Sequence, residues 1–210
     1  MTADRAAPGS RTVRIGLSGP IGCGKSTVAG WLGDRGAVVV DADEVARTVT
    51  APGEPATGRV IARFGPAVAA SGGSLDRAAL AAIVFADPAA LRDLEAIVQP
   101  AVRERILAAI ASAERVGAPA IVIEAIALVE GGLAALCDEV WSVECSPADQ
   151  RDRLRGRGMA DDDIERRIAA QGDLAARLRP VATRVIDSGG DPRAVRTVVE
   201  VAYAEAIGSR

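Results

Sequence analysis

The amino-acid sequence predicts an α/β fold, a mostly parallel sheet flanked by helices, with an all-helical insertion. Three observations carry that expectation. Short β-favouring runs alternate with helical stretches along the chain, the pattern of strand–helix–strand units. The first run is followed at once by a glycine-rich loop and the opening of a helix. Between the second and third runs lies a mostly helical stretch, about 51–117, which is too long for a simple crossover.

The first unit is the most informative. Val13-Arg14-Ile15-Gly16-Leu17-Ser18 alternates and favours β structure, and Val28-Ala29-Gly30-Trp31-Leu32-Gly33 reads as a helix. Between them Gly19-Pro20-Ile21-Gly22-Cys23-Gly24-Lys25-Ser26-Thr27 fits G-x-x-x-x-G-K-[ST], a phosphate-binding loop in the strand–loop–helix context that supports it. Glycines let consecutive N–H groups turn inward around a phosphate, and the helix N-terminus adds partial positive charge. Lys25 can reach the β- and γ-phosphates of ATP, and the Ser26 hydroxyl can ligate Mg²⁺. Lys25 is the single lysine of the chain, beside twenty-four arginines. A chain that uses Arg for nearly every cation keeps Lys where a compact point charge suits a phosphate. The bland alternative, an accidental glycine turn, leaves the flanking strand and helix without explanation.

Composition bounds the rest. The 210 residues suit one domain with insertions, and 49% hydrophobic residues supply a sizeable core. Aromatics are scarce at 2%, so Ala, Val, Leu and Ile do most of the packing. A net charge of −3 gives no basic field for a nucleic-acid partner. With no histidine, imidazole catalysis and His metal ligation are excluded from this chain. Cys23, Cys137 and Cys145 lack metal-site spacing and read as free thiols in a reducing, cytoplasmic setting. Cys23 reads as a small residue filling a loop slot, with a redox role as the alternative. Residues 1–11 are polar and read as a loose tail, not a signal peptide, and no apolar run reaches membrane-spanning length.

In chain order, Gly36–Val40 reads as a buried strand ending in Asp41-Ala42-Asp43-Glu44. Ligands of open α/β sheets bind beyond the carboxyl ends of the strands, which places these acids toward the phosphate loop. Asp41 with Glu44 has capping-box spacing, which leaves Asp43 unexplained by the cap and available as a general base toward an acceptor hydroxyl. In the helical stretch Asp76 is a good N-cap before Arg77, Asp87-Pro88 opens a further helix, and Gln99-Pro100 reads as the start of another. Pro119–Glu124 is an apolar strand whose terminal Glu124 can help hold Mg²⁺ or be only a strand-end acid. Glu139–Glu144 is a further strand. From Gln150 to Gln171 charge is dense. Arg151 and Arg155, and Arg153 and Arg157, share helix faces, with Asp152 and Asp161–Asp163 as possible partners. This segment, about 149–180, reads either as a salt-bridged face or, given Gly156 and Gly158, as an Arg-rich lid. Val185-Ile186-Asp187 is the last strand and 192–207 the last helix.

Taken together, these segments resemble the dephospho-CoA kinase family nearly end to end. The resemblance runs through Gly16–Gly19, Lys25–Ala29, Val39-Val40-Asp41-Ala42-Asp43 and Ala46-Arg47. It continues through Pro52–Pro55, Phe64-Gly65, Asp76-Arg77, Leu80, Ile83–Phe85, Leu94-Glu95 and Ile97. Leu128–Glu130, Gln150, Arg153-Leu154, Arg157, Gln171 and Val185–Asp187 complete it. The phosphate loop alone is shared by many kinases; the ordered set is specific. The resemblance implies a nucleotide-kinase core, a helical acceptor-binding insertion and a lid. It implies phosphorylation of the ribose 3′-hydroxyl of dephospho-CoA by ATP with Mg²⁺, the last step of coenzyme A synthesis. By position it implies Asp43 as base, Arg153 and Arg157 as lid arginines on the phosphates, and Ser18 and Arg77 toward the substrate. The sequence departs from the family pattern at Gln99, usually His, at Ile126-Ala127-Leu128, usually Pro-Leu-Leu, at Thr183, usually Asp, and at Ser188, usually Asn. A kinase for another small acceptor and a nucleotide-binding regulator without turnover are the rival readings, and acceptor screening separates them. The sequence assigns no oligomeric state.

Overall fold

The computed structural model describes residues 11–208. Of the expected loose tail, residues 1–10 lie outside the described residues, and Arg11 pairs with Asp138. The chain divides into two compact units, one formed by the chain up to Val40 and from Ile110 onward, the other by Asp41–Ala109.

The first unit holds the sheet. Strands β1 (Val13–Ser18), β2 (Val38–Asp41), β3 (Ala120–Glu124), β4 (Glu139–Glu144) and β5 (Arg184–Asp187) lie in the order β2-β3-β1-β4-β5. Strand β1 is parallel to both β3 and β4, and β4 is parallel to β5. All five residues of β3 are buried, as expected of a parallel sheet covered on both faces. On one face pack α1 (Lys25–Asp34) and α9 (Pro192–Gly208). Val28 and Leu32 of α1, with Val199 and Tyr203 of α9, close over Ile15, Leu17, Val122, Trp141 and Ile186. The register sets Leu17 beside Glu124 and Ser18 beside Ser142, so the chain leaves β1, β3 and β4 at the same edge of the sheet. Beyond β4 come α6 (Pro147–Gly156), α7 (Asp161–Gln171) and α8 (Leu174–Leu178).

The second unit contains α2 (Ala42–Val49), α3 (Pro55–Phe64) and α4 (Arg77–Ala86), with most of α5 (Pro88–Arg115). It has its own core of Val60, Val68, Leu75, Leu80, Val84 and Ala90. It begins at Asp41 and so includes the acidic segment after β2. Two caps occur where their spacing placed them. Asp41 accepts from the N–H groups of Asp43 and Glu44, and Asp76 from those of Ala78 and Ala79. The Glu44 side chain pairs with Arg47 instead of completing the box.

One helix boundary differs from expectation. Gln99-Pro100 starts no new helix; α5 runs through Pro100 without interruption. An interior proline costs about 3 kcal/mol by losing a donor and crowding the preceding turn. Here Leu94, Val98, Val102, Ile106 and Ile110 recur every fourth residue across it, and the last three are buried. Packing along that stripe outweighs the local penalty. Among the described residues no helix is long and apolar enough to cross a membrane.

Candidate active site

The loop after β1 takes the shape its glycines permit. Gly19 has φ 149°, and a Cβ there would lie 2.1 Å from the Val143 carbonyl oxygen, so only glycine lets the loop leave β1 against β4. Gly24 caps α1 in the left-handed conformation, with φ 89° and ψ 18°. Lys25, 9% exposed, turns its Nζ back into the loop and donates to the carbonyls of Gly19 at 2.8 Å and Pro20 at 3.3 Å. Its charge is thus held against the carbonyls at the start of the loop.

Neighbouring strands bring the remaining groups of this unit to the loop. The Ser26 hydroxyl donates to Glu124 Oε1 at 2.8 Å, joining the start of α1 to the end of β3. Arg153, on α6, donates from Nη1 to Ser188 Oγ at 2.9 Å and from Nη2 to the Ser188 carbonyl. Its Nη1 lies 3.5 Å from where a Cβ on Gly24 would stand. Ser188 Oγ in turn donates to the Cys23 carbonyl at 2.7 Å. The serine that replaces the family's asparagine therefore links the arginine to the phosphate loop. Beside this group a cavity of about 420 Å³ has Val28, Trp31, Pro192 and Val195 as apolar wall and Thr27, Arg153, Arg157 and Ser188 as polar rim.

The structure overturns one expectation and adds contacts to two others. The first concerns the cysteines: Cys23 and Cys145 are not free thiols but form a disulfide with Cα atoms 5.2 Å apart. They are 122 residues apart in sequence. They meet because β1 and β4 are parallel neighbours and both chains emerge at one sheet edge. Cysteine usage therefore no longer argues for a reducing compartment. Cys137 does remain a free thiol, and burial pushes its pKa up to about 12. The bond closes a loop long enough that, by chain entropy, reduction is expected to remove about 5 kcal/mol of stability. Calorimetry with and without a dithiol reductant checks this, and an unchanged melting temperature would contradict it.

The second is Ser18, read as facing the substrate. It is fully buried, and its hydroxyl donates to the Ile126 carbonyl at 3.2 Å, holding the turn after β3. The third is the charged segment, where Arg155 pairs with Asp152 and Asp161 as expected, but Arg151 takes Glu165. The second unit holds the other two candidates. Asp43 is half-buried in the first turn of α2, and Arg77 donates to Thr50 Oγ1 at 2.9 Å, tying α4 to the end of α2.

A parallel sheet of this strand order, carrying a loop with a lysine inside it and a serine–carboxylate pair at its edge, defines a P-loop nucleotide phosphotransferase. The dephospho-CoA kinase family model matches residues 13–192, and the chain belongs to that family of ATP-dependent kinases. A dephospho-CoA kinase of Moorella thermoacetica is 46% identical over 193 residues, covering 91% of each chain. A crystal structure of a Thermus thermophilus protein superposes with a TM-score of 0.76 at 31% identity, over 93% of this chain and 98% of that one. The dephospho-CoA kinase of Campylobacter jejuni shares the fold with a TM-score of 0.61 at 18% identity, over 93% and 97% of the two chains.

Proposed function

We propose that the chain transfers the γ-phosphoryl of ATP to the ribose 3′-hydroxyl of dephospho-CoA, giving CoA and ADP. The observation that carries this reading is the family match over residues 13–192, on a fold whose phosphate loop encloses Lys25. Lys25, the amides of Gly22, Gly24, Lys25 and Ser26, Arg153 and Arg157 stabilise negative charge on the phosphoryl in flight. The apolar wall of Val28, Trp31, Pro192 and Val195 takes the adenosine half of the donor. Asp43 accepts a hydrogen bond from the 3′-hydroxyl and takes its proton as the new P–O bond forms and the bond to ADP breaks. Arg77 orders the acceptor side by fixing α4 to α2. Positioning and electrostatics supply most of the rate, since the protein does little covalent chemistry in phosphoryl transfer. Incubation with Mg-ATP and dephospho-CoA, read by mass, tests the reading: CoA forms only with ATP, and failure to form it sends the search to other acceptors.

Mg²⁺ fits the donor set. The Ser26 hydroxyl and Glu124 carboxylate are two hard oxygen donors in contact. Among the described residues no group of three or more acids or cysteines could cage an ion by itself. That suits Mg²⁺, which keeps waters and phosphate oxygens in its shell. When bound, the ion neutralises charge on the β- and γ-oxygens. Glu124→Gln is expected to raise the Mg²⁺ needed for half-maximal rate by about 10–100-fold. Titration of Mg²⁺ at fixed ATP measures it; an unshifted curve would leave Glu124 as a partner of Ser26 alone.

A further inference from the structure

The apex of the phosphate loop is gripped from both sides. Cys23 N–H donates to the Pro20 carbonyl at 3.3 Å, which closes a turn with Ile21 and Gly22 at its corners. The Ile21 N–H donates to Gln171 Oε1 at 2.8 Å, and Gln150 Nε2 donates to the Ile21 carbonyl at 2.8 Å. One residue thus has its backbone donor and its backbone acceptor both taken by side-chain amides, one from α6 and one from the last residue of α7. Neither contact is a loose surface one. Gln150 is 9% exposed. The end of α7 is fastened by Arg177, which donates to the Gln171 carbonyl at 2.8 Å and pairs with Glu130.

We propose that Gln150 and Gln171 are positioning residues for phosphoryl transfer, fixing the Ile21 backbone so that the amides of Gly22, Gly24 and Lys25 hold their phosphate-binding orientation. Glutamine suits both places for stated reasons. Ile21 offers one donor and one acceptor, and an amide can answer either. An amide also adds no net charge beside a triphosphate, where a carboxylate would repel and a cation would compete with Lys25. The same α6 carries Arg153 three residues after Gln150, so the two share a helix face. One rigid helix therefore touches the loop apex through Gln150 and approaches Gly24 through Arg153. Its position sets the spacing between the loop amides and the arginine. The proposal rests on the phosphate-loop reading above.

The donor–acceptor asymmetry gives a sharp test. Gln150→Glu and Gln171→Glu add the same charge at the two ends of one residue's backbone. A glutamate at 171 still accepts from the Ile21 N–H, whereas a glutamate at 150 has nothing to donate to the Ile21 carbonyl. ATP affinity by titration calorimetry and steady-state turnover are measured for both, with Gln150→Met and Gln171→Met as uncharged controls and melting temperature as the check on folding. The expected result is that Gln150→Glu loses about tenfold more in kcat/KM for ATP than Gln171→Glu. Each methionine variant loses about tenfold in kcat, and KM for dephospho-CoA is unchanged. The double methionine variant loses less than the product of the single losses, because both side chains hold one residue. Equal losses in the two glutamate variants, or wild-type kcat in both methionine variants, would overturn the proposal. So would losses that follow the melting temperatures alone. The calorimetric ranking is independent of the acceptor, so a wrong acceptor would abolish wild-type turnover and leave the ranking of ATP affinities intact.

Discussion

Lys25→Ala is expected to lower kcat by about a thousandfold, roughly 4 kcal/mol of transition-state stabilisation, with the fold intact. The magnitude follows from where the ammonium sits. It lies inside the loop, 9% exposed, bonded to the carbonyls of Gly19 and Pro20, where water screens it poorly. Alanine removes the one cation of this kind that the chain possesses. Lys25→Arg is not expected to restore the rate, since a planar guanidinium does not fit the space between two loop carbonyls that a compact ammonium fills. Single-turnover measurement of CoA formation, with circular dichroism to confirm folding, checks both variants. Near-wild-type turnover in Lys25→Ala would remove the phosphate loop from the mechanism.

Asp43→Asn is expected to lower kcat by about 10²–10⁴-fold while ATP binds as in the wild type. Asp41 is committed to capping α2 through the N–H groups of Asp43 and Glu44. Asp43 itself is not needed for that cap. Asparagine keeps its size and its N–H contact to Asp41 but cannot take a proton from a hydroxyl. Titration calorimetry with ATP alone, set against turnover, separates the roles. Loss of ATP binding in Asp43→Asn would make the residue part of the nucleotide or metal site and not the base.

How much of this was legible in the sequence depends on the range of the interaction. The phosphate loop was readable because its residues are consecutive and its chemistry is backbone chemistry: glycines, a helix start and a lysine within nine positions. The caps at Asp41 and Asp76 were readable for the same reason, each acting on N–H groups two and three residues ahead. The Ser26–Glu124 contact was half readable: each residue reads alone as a possible Mg²⁺ donor, but only the pairing of β1 with β3 sets them 2.8 Å apart. The continuous α5 was misread at Pro100 because the local rule is strong, and the packing stripe that overrides it is tertiary.

The functional partners that sequence reasoning named without a role share one property: their meaning is in what they touch across the fold. Gln150 and Gln171 are points of resemblance without a task until both are seen on Ile21, more than 120 positions away in chain order. Ser188 reads as a departure from a pattern until its hydroxyl is seen joining Arg153 to Cys23. Cys23 and Cys145 carry no spacing signal, because a disulfide depends on the distance between two Cα atoms and not on the 122 residues separating them. By itself the sequence determined the class of chemistry, since phosphate binding is built from local backbone geometry and one charged side chain. Only the tertiary structure decided which groups hold that loop in place, because parallel strands bring distant segments out at one sheet edge.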